Sequence, residues 1–176
     1  MGTWPHAPSR SIAVPGAYIV TSGTYQKVKL CDTEEKLELL TTVLLSSLED
    51  TGWQLQAWSV FANHYHFVGI SPDTGLGLTR LMRRIHGISA RELNRMDGTL
   101  GRTVWYRCWD TKITSSSAHY ARLAYVHRNP VKHGLVEDAV HYRWCSAKWL
   151  EEQGEPSFVN TIYSFKTDHV KVYDDF

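Results

Sequence analysis

The sequence predicts an α+β fold: one antiparallel sheet of the ferredoxin-like, split βαβ kind, with helices on one face and a C-terminal extension. Two observations carry this expectation. Segments of strand and helix spacing follow one another as β-α-β-β-α-β before a third helix, which is the order of that sheet. The chain has 176 residues, 43% of them apolar and 21% charged, which suits one domain better than two.

Residues 17–30 are rich in β-branched and aromatic side chains (Tyr18, Ile19, Val20, Thr21, Tyr25, Val28) broken by Ser22 and Gly23, so they read as one bulged strand or a hairpin. Asp32 and Glu35 form a capping-box pattern ahead of Leu37, Leu40, Leu44 and Leu48 at helical spacing, and this first helix ends before Gly52. Residues 53–61 and 64–71 then alternate as strands. Only Ala62 and Asn63 separate them, which predicts a β-hairpin.

Leu78, Leu81, Met82, Ile85 and Leu93 mark a second helix whose other side carries Arg80, Arg83, Arg84, Arg91 and Arg95. Residues 103–109 read as a short aromatic strand. Ser115, Ser116 and Ser117 offer an N-cap for a third helix running to about Arg128, with Pro130 closing it. After Gly134, Trp144 and Trp149 suggest a packed helix-turn extension, and the acidic, aromatic residues beyond Gly154 carry no assignable pattern. The expected organisation is an N-terminal flexible segment over 1–14, a main domain over 15–136, and an extension with a tail over 137–176.

No apolar run approaches the ~20 residues of a membrane span, and residues 1–22 lack the basic start and apolar stretch of a secretory signal. A soluble, cytoplasmic protein is expected. Cys31, Cys108 and Cys145 are widely spaced without a CxxC, which argues against a disulfide framework or zinc ribbon and for reduced, buried thiols. The formal net charge is only +1, yet between Arg80 and Lys132 eleven Lys and Arg face Glu92, Asp97 and Asp110 alone. A basic middle between acidic ends suits a polyanion-binding face, and equally a set of solvated helix faces paired with the acidic ends.

Two groups of residues carry possible chemistry. His64 and His66 flank Tyr65 at a strand start, so both imidazoles leave one face and can share a divalent cation. No HExxH or CxxC completes a zinc site, whereas two histidines plus one further ligand, with positions left open, suit Mg²⁺ or Mn²⁺ in phosphoryl chemistry. Tyr125 lies on the third helix with Asn129 one turn later on the same face, and Arg122 one turn earlier. Tyrosine is a competent covalent nucleophile, and a cation on the phosphate helps offset its ordinary pKa of about 10.

Together these segments resemble a known family. Phe61-Ala62-Asn63-His64-Tyr65-His66-Phe67-Val68, followed by Tyr125-Val126-His127-Arg128-Asn129-Pro130-Val131-Lys132-His133-Gly134-Leu135-Val136, is similar to the IS200-like single-tyrosine transposases. Within them the chain is most similar to the REP-associated tyrosine transposases, and the likeness spans residues 15–147.

The resemblance implies an HUH endonuclease of ferredoxin-like fold that cuts and rejoins single-stranded DNA carrying imperfect hairpins. His64 and His66 would bind Mg²⁺ or Mn²⁺, Asn129 would give a third ligand, and Tyr125 would attack a DNA phosphate to leave a 5′-phosphotyrosine and a free 3′-OH. Arg80, Arg83, Arg84, Arg91, Arg95, Arg122 and Arg128 are the expected DNA contacts. Exposed members of Trp53, Trp58, Trp105 and Trp109 could stack on unpaired bases, although most are expected in the core.

Three departures stand out: Tyr65 where the family has an aliphatic residue, Phe61-Ala62 where Met-Pro is common, and Ser22-Gly23-Thr24 where the family has Arg-Gly-Asn. The competing readings are a hairpin-binding protein that does not cut, and a small metal-dependent hydrolase working without Tyr125. The length after Val136 favours a monomer over a homodimer, and the acidic tail against a basic face suggests autoinhibition.

Overall fold

The computed structural model describes residues 16–72 and 77–176, so the expected flexible segment over 1–14 lies outside the described residues. Four strands form one sheet in the order β2-β3-β1-β4: β1 (Ala17–Thr24), β2 (Gln54–Val60), β3 (His64–Ile70) and β4 (Trp105–Ile113). Every neighbouring pair is antiparallel. Residues 17–24 are thus one strand with a register irregularity at Gly23/Thr24, rather than a hairpin. The Ala62-Asn63 turn is tight, with the Phe61 amide donating to the His64 carbonyl at 2.8 Å.

The helices α1 (Glu34–Asp50) and α2 (Gly77–Met96) cover one face. Leu40, Leu44 and Leu48 of α1 meet Leu81, Ile85 and Leu93 of α2 over Tyr18, Val20, Tyr65 and Phe67 of the sheet. The α1 cap is Thr33, whose hydroxyl accepts from the Lys36 amide; Asp32, at the position expected for the cap, pairs instead with the Lys36 ammonium at 2.7 Å.

The expectation of helices on one face holds only for these two. Helices α3 (Ser116–Lys132), α4 (Ala147–Gln153) and α5 (Pro156–Ser164) pack on the opposite face. The reason is the strand pattern: Ile19, Ala57 and Val68 are also apolar and need cover, which Leu123, Ala124, Val126, Leu150 and Ile162 provide. Helix α5 lies in the region that carried no legible pattern.

Pro130 does not close α3, which continues to Lys132. A proline there removes only its own N–H and frees the carbonyl one turn back, that of Val126. The Cys145 thiol lies 3.9 Å from that carbonyl and partly replaces the lost donor. Gly134, at φ 67°, then ends the helix in the left-handed conformation that glycine adopts without strain. All three cysteines are free and buried, as expected, and burial pushes the Cys31 and Cys145 thiols up to about 12. No helix among the described residues is long and apolar enough to cross a membrane.

Candidate active site

Because β-strand side chains alternate, residues 64 and 66 of β3 leave the sheet on the α3 side, while Tyr65 enters the core under α1 and α2. Tyr65 is fully buried, and its hydroxyl finds a partner in His86 Nε2 at 3.0 Å. That bond explains how the core accepts a phenol in place of an aliphatic side chain.

Each site histidine is held through its Nδ1. That of His66 meets Thr21 Oγ1 at 2.7 Å, and that of His64 meets Asn63 Oδ1 at 2.9 Å. An oxygen partner at Nδ1 is the arrangement that fixes an imidazole as a metal ligand through Nε2. The two Nε2 atoms converge on one carboxylate oxygen, Asp174 Oδ1, at 3.1 Å from His66 and 3.5 Å from His64. Burial and the neighbouring His66 lower the His64 pKa to about 2, and burial lowers that of His66, so both are neutral, the charge state in which an imidazole serves as a ligand.

Tyr125 reaches the same carboxylate from α3, its hydroxyl donating to Asp174 Oδ2 at 2.6 Å. Its ring stands edge-on to His66 with centroids 5.7 Å apart. Two further groups from the end of α3 join them. Lys132 Nζ lies 3.3 Å from the Tyr125 hydroxyl and also pairs with Asp174, and His133 Nε2 lies 3.1 Å from Asp174 Oδ1.

Among the described residues His64, His66, His133 and Asp174 form a metal-competent group, their ligand atoms all within 4.8 Å of one another. The donor set fits a divalent cation: neutral, pre-oriented imidazoles, a carboxylate, and a buried His64 Nε2 with no hydrogen-bond partner.

The electrostatics follow from this packing. Burial, then the Asp174 carboxylate, raises the Tyr125 phenol well above its ordinary range. Burial would also raise the Asp174 carboxyl, but its hydrogen bonds with His133, His66 and Lys132 outweigh it and hold it far below the usual carboxylate range.

The predicted residues separate into three groups. His64, His66 and Tyr125 come together. Asn129, expected as a third ligand, is fully buried one turn after Tyr125 with neither amide atom in a hydrogen bond, while His133 a turn further on points into the cluster. The arginines stand elsewhere: Arg80, Arg83, Arg84 and Arg91 line a groove with Asp50 and Thr51 on the α1–α2 side, away from Tyr125. Arg84 pairs there with Asp50, and Arg91 and Arg95 with Glu92.

Arg122 donates to the Ala118 carbonyl of its own helix at 3.1 Å. Arg128, expected on DNA, spends its guanidinium inside the fold on the carbonyls of Phe165, at 2.8 Å, and Tyr163. That role suits arginine, whose planar fork can bind two acceptors at once.

Lys132, His133 and Asp174 were not singled out by sequence reasoning. The first two lie inside the string that carries the family resemblance, but a helix expected to stop at Pro130 gave no reason to aim them at the histidines. For Asp174 the only signal was the acidity of the tail. If Thr21 orients His66 as described, Thr21→Val weakens Mn²⁺ binding by roughly 10- to 100-fold with the fold intact, as read by titration calorimetry and a thermal melt.

The sequence model of the family Transposase IS200 like matches residues 18–129. In three dimensions the chain is similar to the structure of a REP-associated tyrosine transposase bound to a REP hairpin, with a TM-score of 0.67, 19% identity, and coverage of 88% of this chain and 87% of that one. A second similar structure is that of a candidate transposase from Deinococcus radiodurans R1, with a TM-score of 0.49, 13% identity, and coverage of 77% of this chain and 95% of that one. No curated protein sequence matches the chain.

Proposed function

This chain belongs to the IS200-like transposase family, and from that premise we propose that it is a metal-dependent endonuclease and strand transferase for single-stranded DNA hairpins. The observation that carries the reading is the meeting of Tyr125 Oη with the Nε2 atoms of His64 and His66 around one anionic group, the Asp174 carboxylate. Nucleophile and metal-ligand pair thus face a common position of negative charge, which is what attack on a phosphodiester requires. The partner proposed is a DNA hairpin with unpaired flanks.

In this reading a phosphodiester takes the place of the carboxylate. Tyr125 Oη bonds to phosphorus, the bond from phosphorus to the 3′ oxygen breaks, and the products are a 5′-phosphotyrosine and a free 3′-OH. A 3′-OH attacking the phosphotyrosine reverses the step and joins strands. His64 and His66 would hold the cation, with Asn129 or His133 as a further donor from α3. When bound, the cation would supply positive charge against the phosphate oxygens. Of Mg²⁺ and Mn²⁺, the nitrogen-rich set suits Mn²⁺ better. With the tail withdrawn, the Lys132 ammonium beside the hydroxyl favours the phenolate and so the attack.

We place the nuclease unit at 15–136 and treat 137–176 as an extension that packs on it and returns Asp174 to the site. Basic residues Arg80, Arg83, Arg84, Arg91 and Arg95 are proposed to hold the duplex backbone electrostatically, and Arg122 is a further candidate. Because the chain's own α3 brings Tyr125 to its own histidines, one copy suffices, which supports a monomer.

The test is incubation with labelled single-stranded hairpin DNA and Mg²⁺ or Mn²⁺, resolved on a denaturing gel. A covalent protein–DNA adduct in the presence of metal is expected. Tight binding with no adduct under any metal, with the tail released, would shift the reading to a hairpin-binding protein. Mixing Tyr125→Phe with His66→Ala protein checks the monomer: no adduct forms if one chain supplies both groups, and a recovered adduct would mean that the helix is exchanged between copies.

A further inference from the structure

We propose that Trp109 is a stacking platform for an unpaired DNA base next to the scissile phosphate, and that Tyr173 of the tail holds this platform in the docked state. The proposal rests on the reading of Tyr125 as the DNA nucleophile. Thr21 pairs with both His66 and Trp109, so these three residues form one rung across β3, β1 and β4 and project from the same face. Two strand spacings, about 10 Å, separate the outer two, within reach of the nucleotide flanking a phosphate bound at His66.

Two residues along β1 from Thr21, between His64 and Arg107, the floor is bare for a specific reason. Gly23 pairs with His64 on one side and Arg107 on the other, and a Cβ on it would sit 2.0 Å from the Phe176 ring. Any side chain there would close the groove. The register shift beside Gly23 accompanies a continuation of the wall by Tyr106 and Tyr25, 53% and 42% exposed, whose rings meet at 6.0 Å. Trp109 is thus one of several flat surfaces along a groove that runs from the histidines to the open edge strand.

What fills the groove identifies its chemistry. Tyr173 stacks on Trp109 with centroids 4.1 Å apart and an interplanar angle of 16°, and Phe176 stacks on His64 at 4.3 Å and 7°. Between these rings Asp174 meets the histidines and Tyr125, and Asp175 pairs with Lys27 at 3.0 Å. Flat rings and anions in a row are the chemical pattern of a single strand of nucleic acid, where stacking on an aromatic face is tolerant of base identity. A groove complementary to this tail is complementary to unpaired DNA, and the two compete for it.

The test uses full-length protein carrying Tyr173→Ala and Asp174→Ala, so that the tail does not compete. Affinity is measured for a labelled DNA hairpin with unpaired thymidine flanks and for the same hairpin with abasic flanks. Adding Trp109→Leu is expected to weaken the thymidine hairpin by about 10-fold and leave the abasic one unchanged, while Trp109→Phe retains most of the affinity. Unchanged affinity for the abasic hairpin also shows that the variant is folded.

Equal weakening of both hairpins, or of neither, overturns the platform while the Tyr125 adduct still stands. Absence of both binding and adduct in the tail-released protein overturns the nuclease reading, and this proposal with it.

Discussion

Tyr125→Phe is expected to abolish covalent capture of DNA, lowering strand cleavage by at least about 10³-fold, because the substitution removes the one atom that forms the bond to phosphorus. Binding of the same hairpin should stay within about twofold, since no contact proposed to hold the DNA backbone is altered. The helix should also stay folded. The hydroxyl's hydrogen bond goes to Asp174 of the tail, while the ring packs with Leu123, Ala124 and Val126, contacts that phenylalanine keeps. The measurement is a denaturing gel for the adduct beside an equilibrium titration. Cleavage persisting in Tyr125→Phe would point to a water nucleophile and the hydrolase reading.

Asp174→Ala is expected to act in the opposite direction, raising cleavage by roughly 10- to 100-fold. The carboxylate accepts from Tyr125, His66, His133 and Lys132, and hydrogen bonds to a charged group each contribute about 1.5–3 kcal/mol. Losing them releases the tail and frees the position a phosphate needs, so the fraction of molecules competent to bind DNA rises.

The pH dependence follows with its sign. The carboxylate favours the protonated phenol, so removing it lowers the Tyr125 pKa, and the rising limb of the rate should shift to lower pH in the variant. If Asp174 were instead a ligand that catalysis requires, the same substitution would reduce cleavage and Mn²⁺ affinity together. A single rate measurement therefore separates a latch from a ligand.

Legibility in the sequence followed how local each feature's cause is. Strand alternation and helical spacing are local, and they sufficed for the sheet, its hairpin at Ala62-Asn63, and helices α1 and α2. The pairing of His64 with His66 is local too, since period-two alternation by itself puts both on one face.

Local rules say less where a distant partner intervenes. Pro130 normally ends a helix, but Cys145 stands against the freed carbonyl and Gly134 supplies the stop, so α3 gains the turn that carries Lys132 and leads into His133. Arg128, expected among the DNA contacts, has the carbonyls of Tyr163 and Phe165 as its partners within the fold. The arginines of α2 share a sequence neighbourhood with the site motifs yet lie across the sheet from Tyr125, because an amphipathic helix turns its apolar side to the core wherever that core is.

By itself, then, the sequence determined the element order, the two histidines on one face, and a tyrosine one helical turn from Asn129. Only the tertiary structure decided which face of the sheet α3 covers, and with it that Tyr125 meets His64 and His66 at all. It also decided that Asp174, far along the chain, sits between them. The physical reason is that periodicity records which side of an element is buried, whereas the partner that buries it is chosen by packing among segments distant in sequence.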